Sequence, residues 1–275
     1  MLLHHLTVMN YRNLQMADLQ FSPNVNCLVG SNGVGKSNVL DAVYFLSFCR
    51  GFSSVQDSLN LRHGAEFFML DGEYVKDGGS ELHVVCSLKK GGRKRLKIDD
   101  KDVKRISEHV GHIPLVMIAP ADSELVTGGS EARRHFMDTV LMQLDAPYLN
   151  ALIRYDQALK QRNALLKQEE EPDWRLMDVL EDMMGMCGEL IYSCRKMFVD
   201  EFTPMFDALY HQISDRDDEH VALVYQSHGE RGDLRPQLKS WREKERIVGY
   251  SLHGIHKDEL SPVSYTHLTL PTNRE

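Results

Sequence analysis

The run Gly30, Ser31, Asn32, Gly33, Val34, Gly35, Lys36 and Ser37 constrains this chain more than any other stretch. It fills every fixed position of the phosphate-loop pattern G-x-x-x-x-G-K-[ST]. The flanks have the character that the pattern requires. Residues 26–30 (NCLVG) read as a short buried strand, and the following SNVLDAVYFL places Val39, Leu40, Val43 and Leu46 at helical spacing. In such a strand–loop–helix unit, Gly30, Gly33 and Gly35 allow a tight turn that aims successive backbone N–H groups at phosphate oxygens. The helix N-terminus adds a positive field. Lys36 supplies a mobile cation to the terminal phosphates, and Ser37 offers a hydroxyl to Mg²⁺. The sequence therefore predicts a nucleoside triphosphate site over residues 30–37, with Ser37 as the metal contact.

Bulk properties bound the rest. A chain of 275 residues holds one large domain or two smaller ones, and its 42 % apolar and 26 % charged residues are ordinary for a globular protein. The net charge of −8 excludes a wholly basic nucleic-acid coat but not a local basic patch. Five cysteines, scattered and without a C-x-x-C pair, fit reduced thiols and give neither a disulfide framework nor a zinc site. The 13 histidines are also scattered, with no H-E-x-x-H. No signal peptide and no stretch of membrane-span length is evident, so a soluble cytoplasmic protein is expected.

Strand patterns dominate the first part. Residues 3–10 and 16–21 read as strands, as do FFMLDGEYV and ELHVVCSL, which are split by Asp77-Gly78-Gly79. Gly91-Gly92 turns the chain into RKRLKIDD as a hairpin, and IPLVMIAP (113–120) reads as a further buried strand. From Asp122 to about His211 the period becomes helical. Leu149, Leu152, Ile153 and Leu159 mark one helix. Met177, Leu180, Met184, Cys187, Ile191, Cys194 and Phe198 mark a second, with KQEEEPD between them. The prediction is an antiparallel helical hairpin inserted into an α/β domain, with strand character returning at residues 221–225.

Four further clusters carry charge. Arg133-Arg134 opens a helical segment in GGSEARRHFMD, and Lys160, Arg162 and Lys167 give YDQALKQRNALLK the look of a basic amphipathic helix. KKGGRKRLK (89–97) holds six Lys/Arg in nine residues; a solvated hairpin tip and a phosphate-backbone contact are both open readings. HGIHKDEL (253–260) offers His253 and His256, but no third metal ligand stands nearby in sequence.

Taken together, N-Y-R-N-L near the N-terminus, GSNGVGKSNVLDAVYFL, APADSELVTGGSEARRHFMD, YDQALKQRNALL and HGIHKDEL resemble the bacterial RecF family in order and spacing over about residues 1–260. That resemblance implies an α/β fold of the ABC/SMC-type ATPase head, a phosphate-loop sheet with an inserted all-helical lobe. The corresponding division is 1–121 for the N-terminal part of the head, 122–212 for the helical lobe and 213–260 for an incomplete return to the head. It further implies ATP and Mg²⁺ as ligands, an ATP-dependent homodimer, and binding to DNA, single-stranded and gapped duplex. RecO and RecR-type mediators would be the partners in loading recombinase at gaps during repair and replication. Arg12 and Asn13 match a short motif that lies near the nucleotide in this class.

The chain also departs from the family pattern. Hydrolysis in this class uses an L-S-x-G-Q-type segment and an apolar strand ending in paired acids, and neither occurs in this sequence. No glutamine stands in residues 115–125, where a lobe-connecting one is expected. SPVSYTHLTLPTNRE, from Ser261 to Glu275, does not resemble the family and reads as a non-native tail. An intact member would be a weak, DNA-stimulated ATPase, while this chain lacks the segments for turnover. The competing expectations are another SMC-like or OLD-type ATPase, a small-molecule phosphate-loop kinase, and an ATP-gated DNA clamp without effective hydrolysis.

Overall fold

Apolar residues at every second position build the first sheet, because successive strand side chains point to opposite faces. The computed structural model describes residues 1–52, 56–214 and 219–266. The chain divides into two units, Met1–Ile118 and Ala119–Glu275. In the first, β1 (Leu2–Tyr11), β2 (Leu14–Gln20), β3 (Phe67–Val75), β4 (Glu81–Lys89), β5 (Arg95–Ile98) and β6 (Lys101–Asp102) form an antiparallel sheet in the order β2-β1-β3-β4-β5-β6. Register aligns Val8, Leu70, Cys86 and Leu96 in one row across four strands, and all four are buried. The adjacent row runs Leu6, Gly72, Val84 and Ile98.

Onto this face packs α1 (Lys36–Phe48). Gly72 lets it approach closely, since a Cβ there would stand 2.8 Å from Leu46 Cδ1. Tyr11, Phe45 and Phe68 meet edge to face with ring centroids 5.3 to 5.8 Å apart, tying the end of β1 to the last turn of α1. The strands expected at 3–10, 16–21, FFMLDGEYV and ELHVVCSL are present, and β4 and β5 pair as the expected hairpin.

Two expected strands are not. Residues 26–30 and 113–120 join no ladder; Val29 is 87 % exposed, and Val116 and Ile118 are each 84 % exposed. Only alternate residues such as Leu28 and Ile113 reach the core. An apolar run records which side chains avoid water, but a strand also needs a neighbour to take its N–H and C=O groups. Among the described residues neither run pairs with another strand; the Gly30 and Ile113 carbonyls are taken by the side chains of Lys36 and Ser47 instead.

The second unit begins with short α2 (Glu124–Thr127), then α3 (Ser130–Leu144), α4 (Ala146–Leu166) and the 41-residue α5 (Trp174–Ser214). α4 and α5 are antiparallel: Arg162 meets Glu181 near one end, and Tyr148 meets Arg195 near the other. The expected stripe is the packed face of α5, with Met177, Leu180, Met184, Cys187, Ile191 and Cys194 buried. β7 (Glu219–Gln226) and β8 (Glu259–Thr266) pair antiparallel in a separate two-stranded sheet, and α6 (Leu234–Val248) lies between them in sequence. Ser261 to Thr266 of the expected non-native tail pair opposite Glu219 to Val224. Ladder bonds use backbone, so they tolerate almost any sequence. The rest of that tail, residues 267–275, lies outside the described residues.

Charged residues of the family-like segments form the polar core of this unit. Arg162, wholly buried, donates to Glu181 (3.0 Å), Glu245 (2.6 Å) and Ser251 (2.7 Å). Arg195, also buried, binds Asp138 (2.8 Å) and Asp258 (2.7 Å). The reading of Lys160, Arg162 and Lys167 as the cations of a basic amphipathic helix is thus corrected for Arg162, which is buried, while Lys160 and Lys167 stay exposed. Sequence shows a positive charge but not the two carboxylates that bury it. Arg133 and Arg134 likewise donate to backbone carbonyls, of Leu125 (3.1 Å) and Gly128 (2.9 Å) and of Asp258 (2.6 Å) respectively.

Candidate nucleotide-binding site

The phosphate loop enters α1 through Gly35, whose φ of 109° lies in the left-handed region. A Cβ there would fall 2.5 Å from Leu14 Cδ2 and 2.8 Å from Asn13 Oδ1, so both backbone and space demand glycine. Gly33 also has positive φ, 82°. No side chain caps the first turn of α1 and no acid lies in it, which leaves an N-terminus suited to an anion. Ser31, Asn32, Gly33, Val34 and Ser37 are exposed, so the loop is open to a ligand.

Lys36 Nζ lies inside the loop, 2.7 Å from the Gly30 carbonyl oxygen and 2.8 Å from that of Ser31. An ammonium carries three donors, so one remains for a phosphate oxygen. The turn between β1 and β2 clips the loop from one side. Asn13 Nδ2 donates to the Gly33 carbonyl at 2.7 Å, and Asn38 Nδ2 donates to Asn13 Oδ1 at 2.6 Å. Asn38 was not among the residues expected from sequence; its position next to Ser37 was the available signal.

Arg12 is placed differently. It too has positive φ, 51°, and its backbone N–H donates to the Asn60 carbonyl at 2.8 Å. Its guanidinium pairs with Asp41 at 3.0 Å and Asn60 Oδ1 at 3.1 Å rather than with the loop. Asp41 is buried, accepts from Tyr11 Oη and takes the Phe52 N–H at 2.7 Å. Burial, reinforced by the Asp41 charge, holds the Tyr11 phenol well above its usual pKa, so it remains a donor. The structure thus brings Asn13 to the loop and pairs Arg12 with Asp41 of α1.

The other charged clusters lie apart from residues 30–37 in sequence. Lys94, inside the basic run, donates to Asp57 at 2.7 Å and to the Cys49 carbonyl, while Lys89, Lys90, Arg93, Arg95 and Lys97 are exposed along the β4–β5 hairpin. Among the described residues His253 and His256 belong to no group of three possible metal ligands. His256 bonds Tyr155 Oη at 3.0 Å and the Ser251 carbonyl at 3.1 Å, and His253 stacks on His228 and lies against Trp241. All five cysteines are free thiols. Among the described residues no helix is long and apolar enough to cross a membrane.

An antiparallel sheet backed by a phosphate-loop helix defines the class. Residues 2–121 match the family model described as the RecF/RecN/SMC N terminal domain, and the fold is that of the RecF/SMC ATPase head with a helical lobe. The similarity extends further. The chain is 50 % identical over 260 residues to the DNA replication and repair protein RecF of Phocaeicola vulgatus, covering 94 % of this chain and 70 % of the relative. It is 47 % identical over 261 residues to the protein of that name from Bacteroides fragilis, covering 95 % of this chain and 70 % of the relative. A solved structure of the recombination mediator protein RecF-ATP in the RecFOR pathway superposes with a TM-score of 0.87 at 25 % identity, covering 96 % of this chain and 73 % of that one. The chain belongs to the RecF family.

Proposed function

We propose that this chain binds ATP–Mg²⁺ through residues 30–37 and acts as an ATP-dependent DNA-binding protein of recombinational repair and replication. The observation that carries the reading is the uncapped N-terminus of α1, with Lys36 folded into the loop and Asn13 fixing it. The donor set fits the ligand: glycine-permitted backbone, one mobile cation, and an exposed Ser37 hydroxyl beside the phosphate position. Mg²⁺ keeps waters and phosphate oxygens as its other ligands, so a single protein hydroxyl is a sufficient first contact.

In this reading ATP is a dimerisation switch. The dimer engages DNA near single-stranded gaps and, with RecO and RecR-type mediators, helps to load recombinase; the compartment is the cytoplasm. The family membership and the RecF-ATP structure support the nucleotide and the pathway. The division into head (1–121 and 213–260) and helical lobe (122–212), with a non-native tail from Ser261, belongs to the same proposal. The exposed cations of the β4–β5 hairpin supply a candidate contact to the phosphate backbone.

The deciding experiment titrates ATP–Mg²⁺ into the wild-type chain and into Lys36→Ala by calorimetry. It then repeats DNA binding on gapped duplex with and without ATP. Loss of a charge-assisted phosphate contact worth about 1.5–3 kcal/mol weakens ATP binding by roughly 10- to 150-fold. Equal ATP affinity in the two proteins would overturn the site assignment, and DNA binding indifferent to ATP in the wild type would overturn the switch.

A further inference from the structure

Near the end of α5, three side chains from two elements converge. Asp207 and His211 stand four residues apart on one face of the helix, and His220 faces them from β7. One ligand atom from each lies within 4.8 Å of the others. His220 Nδ1 is 3.2 Å from Asp207 Oδ2, and His211 Nδ1 is 3.5 Å from Asp207 Oδ1; His211 Nδ1 also donates to the Asp207 carbonyl at 2.8 Å, a bond that a bound ion would replace. Ligands of a tetrahedral zinc ion at bond lengths of about 2.0–2.1 Å stand roughly 3.4 Å from one another, so these two edges already have that length.

We propose that Asp207, His211 and His220 form a binding site for a divalent transition-metal ion of the zinc type. Two nitrogens and one carboxylate oxygen are the donor set that zinc accepts with three protein ligands, the fourth position being left to water or another ligand. The carboxylate is oriented before any ion arrives, because Asp207 Oδ1 accepts the Val221 N–H at 2.8 Å. The site is reachable from solvent: the His220 side chain is 55 % exposed, against 23 % for His211 and 28 % for Asp207.

The location gives the ion a task. No residue of α5 beyond Val199 is buried, so the last turns of this helix are held less firmly than its packed middle, chiefly by ring contacts of Phe202 with Phe136, Phe198 and Phe206. An ion shared by Asp207, His211 and His220 staples those turns to β7. Its binding free energy then stabilises the end of the helix.

The test titrates Zn²⁺ into tag-free, chelator-stripped full-length chain against a chromophoric competitor. The wild type is expected to bind one equivalent. Asp207→Asn, which retains an acceptor for Val221, and His211→Gln and His220→Gln each weaken it by at least about tenfold. Cys27→Ser and His63→Gln, exposed positions elsewhere, leave it unchanged. Hydrogen exchange provides a second readout: Zn²⁺ slows exchange over residues 200–214 in the wild type and not in His220→Gln. Zinc binding unchanged in all three site variants overturns the proposal, as does binding lost in Cys27→Ser or zinc without effect on exchange in that segment.

Discussion

Asn13 Nδ2 donates to the carbonyl oxygen of Gly33 at 2.7 Å, joining the turn between the first two strands to the middle of the phosphate loop. Through that bond, and through Asn38 on Asn13 Oδ1, the sheet edge fixes a loop whose glycines would otherwise leave it conformationally free. The consequence is pre-organisation: a loop already held in shape loses less entropy when phosphate arrives.

Asn13→Ala removes this clip without touching any loop residue. With a net hydrogen-bond worth of about 0.5–1.5 kcal/mol, ATP affinity falls by roughly 2- to 12-fold while Lys36 remains in place. Calorimetry on the variant checks it, and an unaltered affinity means the loop holds itself.

Gly35→Ala acts on fold and ligand together. The new Cβ meets Leu14 and Asn13 at a residue whose φ is 109°, so the helix entry has to shift. Backbone strain of about 1–3 kcal/mol is expected in urea unfolding followed by a probe in the first unit, together with weakened ATP binding. The same substitution at Gly78, where a Cβ meets nothing within 4 Å, is the control.

Arg162→Met leaves Glu245 facing a buried apolar side chain, while Glu181 keeps Arg242 at 2.5 Å. Removing one partner of a buried pair costs about 3–5 kcal/mol. Adding Glu245→Gln restores part of that, because Gln keeps an acceptor for the backbone N–H groups of Leu252 and His253 that Glu245 serves. Chemical unfolding of the single and double variants measures the difference. Equal stability of the two would show that the uncompensated charge is not what the single variant suffers from.

The second unit should lose stability in mild acid. Burial lowers His253 and His256 from 6.5 to about 4, with neighbouring cationic groups adding to the effect. The unfolded chain therefore binds more protons than the folded one between those values. Stability is full above about pH 6.5 and declines as pH falls towards 4. His256 donates through Nε2 to the Ser251 carbonyl and holds Tyr155 Oη at 3.0 Å from Nδ1. Thermal unfolding from pH 7 to 4 gives the slope, and His256→Gln should flatten it; an identical slope in that variant would assign the acid loss elsewhere.

DNA binding, under the proposed function, should weaken steeply with salt, since phosphate contacts release counterions. Replacing Arg93 and Arg95 by Gln should lower the slope of log affinity against log salt by roughly one to two. Both are exposed on the β4–β5 hairpin, whereas Lys94 is committed to Asp57 and the Cys49 carbonyl. An unchanged slope would remove the hairpin from the interface.

Much of this was legible in residue order. The phosphate loop is a local motif, because loop, helix start and cation all come from eight consecutive residues. Strands β1 to β4 were readable from period-two burial, and α4 and α5 from apolar residues three and four apart. What could not be read was pairing. Residues 26–30 and 113–120 have strand composition but pair with no strand among the described residues, and Arg12 and Asn13, adjacent in sequence, go to Asp41 and Gly33 respectively.

Sequence by itself determined the elements whose signals are short-range: the glycines that permit the loop, the helix that follows it, and the alternation that makes one sheet face apolar. Tertiary structure alone decided the long-range matters. Arg162 became a core residue rather than a surface cation because Glu181 and Glu245, 19 and 83 residues away in sequence, were brought to it. Asp207, His211 and His220 became one cluster because β7 returns against the end of α5. A charge in a sequence carries no record of its partner. In a folded chain desolvation forbids burying it without one, so the fold assigns the partner and, with it, the role.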